Sequence, residues 1–105
     1  MNWPNDSDGD VLRRLEESDF DFSKNYDVDF NIDFNNWPPS QEAIEILNKE
    51  YGGVEVYDPE DEYEGYLMFK INSLITYNLV VDTQSRVSIL MKPYGGTCET
   101  WGVLH

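Results

Sequence analysis

Three features of this 105-residue chain predict an α+β fold in which a four-stranded antiparallel sheet carries its helices on one face. Residues 27–34, D-V-D-F-N-I-D-F, alternate apolar and polar side chains with a period of two, which a strand separates onto opposite faces and a helix does not. Residues 40–51 and 76–91 instead place their apolar side chains at helical spacing. Short alternating runs at 54–57, 66–71 and 97–104 are set off by breaks rich in Gly and Pro. After a short N-terminal helix the order is β-α-β-β-α-β, the split, ferredoxin-like arrangement with the first and third strands central. The length suits one domain over 1–105, with residues 1–7 expected as a flexible arm.

Each element has its own signal. Asp6 to Asp10 supply capping carboxylates before V-L-R-R-L-E-E, about two helical turns whose Val11, Leu12 and Leu15 share a side. Ser18 to Tyr26 reads as a connection anchored by Phe20 and Phe22. In the first strand Val28, Phe30, Ile32 and Phe34 face a core. Asp27, Asp29, Asn31 and Asp33 face the other way, Asp27 and Asp29 about 7 Å apart along the strand. Trp37-Pro38-Pro39 stops this strand, and Pro is tolerated where a helix begins. From Ser40 to Tyr51 the stripe is Ala43, Ile44, Leu47 and Tyr51, closed by Gly52-Gly53.

Val54 to Tyr57 and Tyr66 to Ile71 form a hairpin around the acidic turn D-P-E-D-E-Y-E-G at 58–65. Leu67, Phe69 and Ile71 take its core side, leaving Tyr66, Met68 and Lys70 beside the acidic row. Residues 76–91 contain β-branched Val80, Val81, Val87 and Ile89, yet Leu79, Val80, Thr83, Val87, Leu90 and Met91 keep a 3.6-residue spacing, with no Gly or Pro until Pro93. Periodicity outweighs propensity here, and the segment reads as a helix. In the closing strand Glu99, Trp101 and Val103 alternate with Cys98, Thr100, Gly102 and Leu104.

Composition excludes several classes. Twenty-one acids against seven bases give a formal net charge of -14, which repels a phosphate backbone, so direct nucleic-acid binding is not expected. The charge is uneven: residues 1–64 carry nearly all the acids, and 65–105 are close to neutral. Hydrophobic content of 40% is enough to support folding. One cysteine, Cys98, and one histidine, His105, form no disulfide and no Cys/His zinc set. No signal-peptide pattern and no apolar run near the ~18 residues of a membrane span appear, so a cytoplasmic location is expected.

Chemistry-bearing constellations are sparse. Asp6, Asp8, Asp10 and Glu17 match an EF-hand loop in part, but Val11 stands where the loop needs Gly, and the stretch reads as a helix cap. Asp27-Asp29-Asn31-Asp33 has Ile32 at that position and Pro38 at the last, so its alternation reads as strand. The carboxylates lie in runs typical of solvated surface and no nucleophile motif is present; neither catalytic residues, metal nor cofactor are expected. His105 reads as a frayed terminus. Trp3, Trp37 and Trp101 are each either a core anchor or a contact residue.

Taken together, G-D-V-L-R-R-L-E-E at 9–17, D-F-D-F-S-K at 19–24, V-D-F at 28–30 and Y-G-G-T-C-E-T-W-G-V at 94–103 resemble the B-type regulator of ribonuclease E activity family, also called the ribonuclease E inhibitor B domain. The resemblance covers about residues 8–105. It departs at Ser18-Asp19, where the family often has a Gly before the Phe. It implies an α+β fold with a ferredoxin-like core, and a non-catalytic bacterial protein that binds ribonuclease E and lowers or redirects its activity in RNA decay. No family motif marks the contact. From the residues themselves, the expected protein-binding set is Asp27, Asp29, Asp33, Glu60, Asp61, Glu62 and Trp101, facing ribonuclease E or a related basic surface. An immunity-type or nucleic-acid-mimic inhibitor of another basic enzyme, and a small-ligand or cation-binding domain, are the alternative readings.

Overall fold

The computed structural model describes residues 3–103. Met1 and Asn2 of the expected arm, Leu104 of the expected closing strand and His105 lie outside the described residues. Helix α1 spans Ser7–Glu17, β1 Asn25–Phe34, α2 Gln41–Tyr51, β2 Glu55–Tyr57, β3 Tyr66–Leu74, α3 Tyr77–Met91 and β4 Gly96–Val103, with a 3-10 turn at Lys92–Tyr94. The sheet order is β2-β3-β1-β4 and every pairing is antiparallel, so β1 and β3 are the inner strands. Residues 77–91 are helical despite their β-branched content, as their period requires.

Side-chain oxygens start all three α-helices. Asp6 Oδ1 accepts from Gly9 N at 2.7 Å, Ser40 Oγ from Ala43 N at 3.2 Å and Thr76 Oγ1 from Leu79 N at 3.0 Å. Because Asp6 is the cap, α1 begins a turn earlier than its apolar stripe indicates. The end of α1 has a definite chemistry too. Phe20 N donates to the Leu15 carbonyl and Asp19 N to the Glu16 carbonyl, the paired bonds of a Schellman motif, with Asp19 at φ +60° in the position that favours glycine. A Gly in place of Asp19 would relax that backbone.

Where a flexible arm is expected over 1–7, the chain is anchored from Trp3 onward. Trp3 packs on Phe22 with ring centroids 5.5 Å apart, Arg13 Nη2 donates to its carbonyl at 3.2 Å, and Ser7 is already helical.

The helices converge on one side of the sheet. Leu12, Ala43, Leu47, Val80, Val87 and Met91 are fully buried with Val28, Phe30 and Ile32 of β1 and Leu67 and Phe69 of β3. Each such side chain larger than Ala43 contributes about 1.5–3 kcal/mol on burial. Phe30 stacks on Phe69 at 5.5 Å, and Tyr51 of α2 stacks on Phe69 at 4.2 Å. Helix α1 joins this layer beside α3, where Asp8 Oδ1 accepts from Gln84 Nε2 at 3.0 Å.

Strand β4 departs from strict alternation. Asn31 pairs with Thr100 but Ile32 pairs with Cys98, so Glu99 is an extra residue in a bulge. Residues on either side of a bulge change phase, which sets Cys98 opposite Ile32 and Trp101 opposite Phe30, both on the helix side. The expected grouping of Trp101 with Glu99, against Cys98, is corrected by this one residue.

Candidate functional site

Among the described residues, no helix covers the other face of the sheet. The β1–β3 register sets Asp27 opposite Asn72, Asp29 opposite Lys70, Asn31 opposite Met68 and Asp33 opposite Tyr66, so the polar row of β1 and the outward residues of β3 form one surface. Tyr57 of β2 stacks on Tyr66 at 4.8 Å and donates through its hydroxyl to Glu55 at 2.8 Å, a bond that holds its proton and raises its pKa. The result is a floor of two stacked tyrosines, Tyr57 and Tyr66, with Met68 beside them, edged by carboxylates.

Those carboxylates differ along the strand. Asp27 Oδ1 accepts from Asn72 Nδ2 at 2.9 Å, and Asp29 has a cation in register across the pair. Asp33 instead borders a cleft with Glu64 and Glu99. Partial burial first, then the two neighbouring negative charges, raise its pKa above the ordinary value. Three acidic side chains, Asp33, Glu64 and Glu99, are thus brought together at this end of the face.

The loop acids Glu60, Asp61 and Glu62 lie exposed at the β2–β3 tip, near Phe34 and Trp37 at the end of β1. The loop acid that meets Asp33 is Glu64. Neither Glu64 nor Glu99 is singled out by local sequence, because each is brought to Asp33 by strand pairing.

Trp101 is set apart from the acidic row. Its indole Nε1 donates to Asp8 Oδ1 at 2.8 Å, and the same oxygen accepts from Gln84, so one carboxylate ties α1, α3 and β4 together. Asp10 is paired with Arg13 at 2.6 Å. The acidic stretch 6–10 thus caps and braces the helix layer. Cys98 lies beneath, its amide donating to Ser88 Oγ at 2.9 Å. Burial, followed by the charges of Asp33, Asp8 and Glu99, pushes its thiol up to about 12, so at neutral pH it is not a thiolate nucleophile.

Apart from Asp29 and Glu99, the motifs that carry the family resemblance fall in the helix layer and its joints. Leu12 and Leu15 are core, Asp19 and Phe20 close α1, and Asp21 accepts from the amide and hydroxyl of Ser23. Gly96 lies so close to Met91 and Phe34 that a Cβ there would come within 2.8 Å of each.

Fold and site together define a small α+β domain with a braced, helix-covered face and an open acidic one, the build of a binding or regulatory module. The family model described as regulator of ribonuclease activity B matches residues 5–103, nearly all of the chain, and the chain belongs to that family. Membership carries regulation of ribonuclease activity, in a family of regulators, with a ribonuclease as the implied partner. A search of curated proteins returns no match. Among the described residues no helix is long and apolar enough to cross a membrane.

Proposed function

We propose that this protein binds ribonuclease E in the bacterial cytoplasm and inhibits it without catalysis of its own, docking through the open sheet face onto a basic region of the enzyme. The observation that carries this reading is the row Asp27, Asp29 and Asp33, held in register on a face that no helix covers. Glu60, Asp61 and Glu62 extend the negative surface at the hairpin tip. Trp101, expected among the contacts, serves in this proposal to hold α1 to the sheet through Asp8.

Charge of this kind speeds and orients an encounter, and the exposed Tyr57 with the half-buried Tyr66 and Met68 supplies the contact that resists dissociation. Binding should weaken as salt rises, since exposed charges are screened within about 8 Å at physiological ionic strength. The test is cleavage of RNA by purified ribonuclease E with increasing amounts of this protein, at low and high salt, beside the triple variant D27K/D29K/D33K. Inhibition by the natural protein that fades in the variant and in high salt supports the proposal. Equal inhibition by both proteins removes the docking face, and no inhibition by either removes ribonuclease E as the target.

A further inference from the structure

The tip between β2 and β3 is a built turn. Glu60 N donates to the Tyr63 carbonyl at 3.0 Å and Tyr63 N to the Glu60 carbonyl at 2.8 Å, which closes the chain over Asp61 and Glu62. Asp61 holds φ at +53°, a left-handed value that Asp tolerates. Beside this turn stands Trp37, located by two contacts. A Cβ on Gly65 would come within 2.6 Å of its ring, and its indole N–H reaches Asp58 Oδ1 at 3.4 Å.

An open groove of about 310 Å³ runs between them, lined by Phe34, Trp37 and Tyr63 and by Asp61, Glu62 and Glu64. Its size is at the small end of ligand clefts, which run from about 300 to 1,000 Å³, and suits one side chain better than a cofactor. Tyr63 leaves 80% of its surface in solvent, the most exposed large hydrophobic residue described. Phe34, Asn35 and Glu64 border both this groove and the cleft that holds Asp33, so the groove continues the acidic surface.

Aromatic rings with a carboxylate rim select one kind of guest. Anions are repelled by Asp61, Glu62 and Glu64, and an apolar side chain leaves those carboxylates without a partner. A cation is attracted to an aromatic face, and a planar guanidinium stacks there while its N–H fork serves carboxylates; an ammonium supplies only the point charge. We propose that this groove receives an arginine side chain from an extended, basic segment of a partner protein. The inference rests on the reading above that the partner is basic, and it names the residue type and a second point of attachment beside the β1 acids.

The experiment uses the full chain, isotopically labelled, titrated with a capped four-arginine peptide and with its four-lysine counterpart while the Trp37 indole N–H resonance is followed. The arginine peptide is expected to shift that resonance and to bind about three- to fivefold more tightly than the lysine peptide. Tyr63→Ala, which leaves the charge unchanged at an exposed position, should lower arginine-peptide affinity about threefold. Equal affinity for the two peptides with a stationary Trp37 resonance, or unchanged affinity in Tyr63→Ala, overturns the groove and leaves general charge attraction. Because the titration contains no ribonuclease, the two readings fail separately. Ribonuclease E inhibition without arginine preference removes the groove alone, and arginine preference without inhibition removes the target alone.

Discussion

The two faces of the sheet are built from the same strands to opposite ends. On the covered face, Val28, Phe30, Ile32, Leu67 and Phe69 are fully buried, and the helix joints are braced by Asp8, Ser40 and Thr76. On the open face, the alternate residues of β1 hold carboxylates, one of them raised in pKa by partial burial and then by its acidic neighbours, beside a floor of tyrosines and methionine. Most of the motifs that carry the family resemblance lie with the first, while Asp29 of V-D-F and Glu99 of the closing motif lie with the second. The resemblance is thus carried mainly, though not wholly, by the chemistry that folds the chain, and the open surface is written in charge and register.

This contrast can be broken most sharply on the covered face. Phe69→Ala deletes a ring stacked between Phe30 and Tyr51, and should cost about 3–5 kcal/mol in urea unfolding, enough to threaten the fold. Next comes Trp101→Phe, which keeps much of the ring but removes the indole donor to Asp8. A hydrogen bond to a charged group is worth about 1.5–3 kcal/mol, and the loss should appear as a lower unfolding midpoint with little change in ribonuclease binding. Were Trp101 itself a contact, binding would fall further than stability does.

Smaller effects run the other way. Asp19→Gly places the residue that tolerates φ +60° at the close of α1 and should stabilise by about 0.5 kcal/mol, read by thermal unfolding. On the open face, Asp33 has a folded pKa above its ordinary 3.8, so its proton binds the native state more tightly than the unfolded chain. Its contribution to stability is fully present below pH 3.8 and is lost as pH rises through the raised folded value. Asp33→Asn should therefore be slightly more stable than the natural protein at pH 7, with the advantage shrinking as pH falls below that value. A loss of stability at pH 7 would show that Asp33 is held by an attractive contact.

Much of this molecule is legible in the sequence, for physical reasons that also set the limit. The period of two in 27–34 places all of β1 but Asn25 and Tyr26, which the strand adds from the expected connection, and a period of 3.6 at 77–91 correctly overrides the β preference of its valines. Local patterns fail where the deciding contact is distant. The bulge at Glu99 adds one residue without a sequence mark, yet it moves Trp101 to the helix side and out of the acidic set. Gln84 looks like a solvent residue of α3 but is buried, its amide shared between Asp8 and the Val80 carbonyl. At the site, Asp27, Asp29 and Asp33 are readable from alternation, whereas Glu64, Glu99 and the Tyr57–Tyr66 pair become neighbours only when the strands are paired.

The central claim, that the open acidic face and not the braced one meets the ribonuclease, is tested most directly by the dissociation constant of the complex with ribonuclease E for the natural protein and for D27K/D29K/D33K, with urea unfolding of both. The account predicts an affinity loss of about tenfold or more at an unchanged or higher unfolding midpoint. An unchanged affinity in the triple variant, with its fold intact, would contradict it.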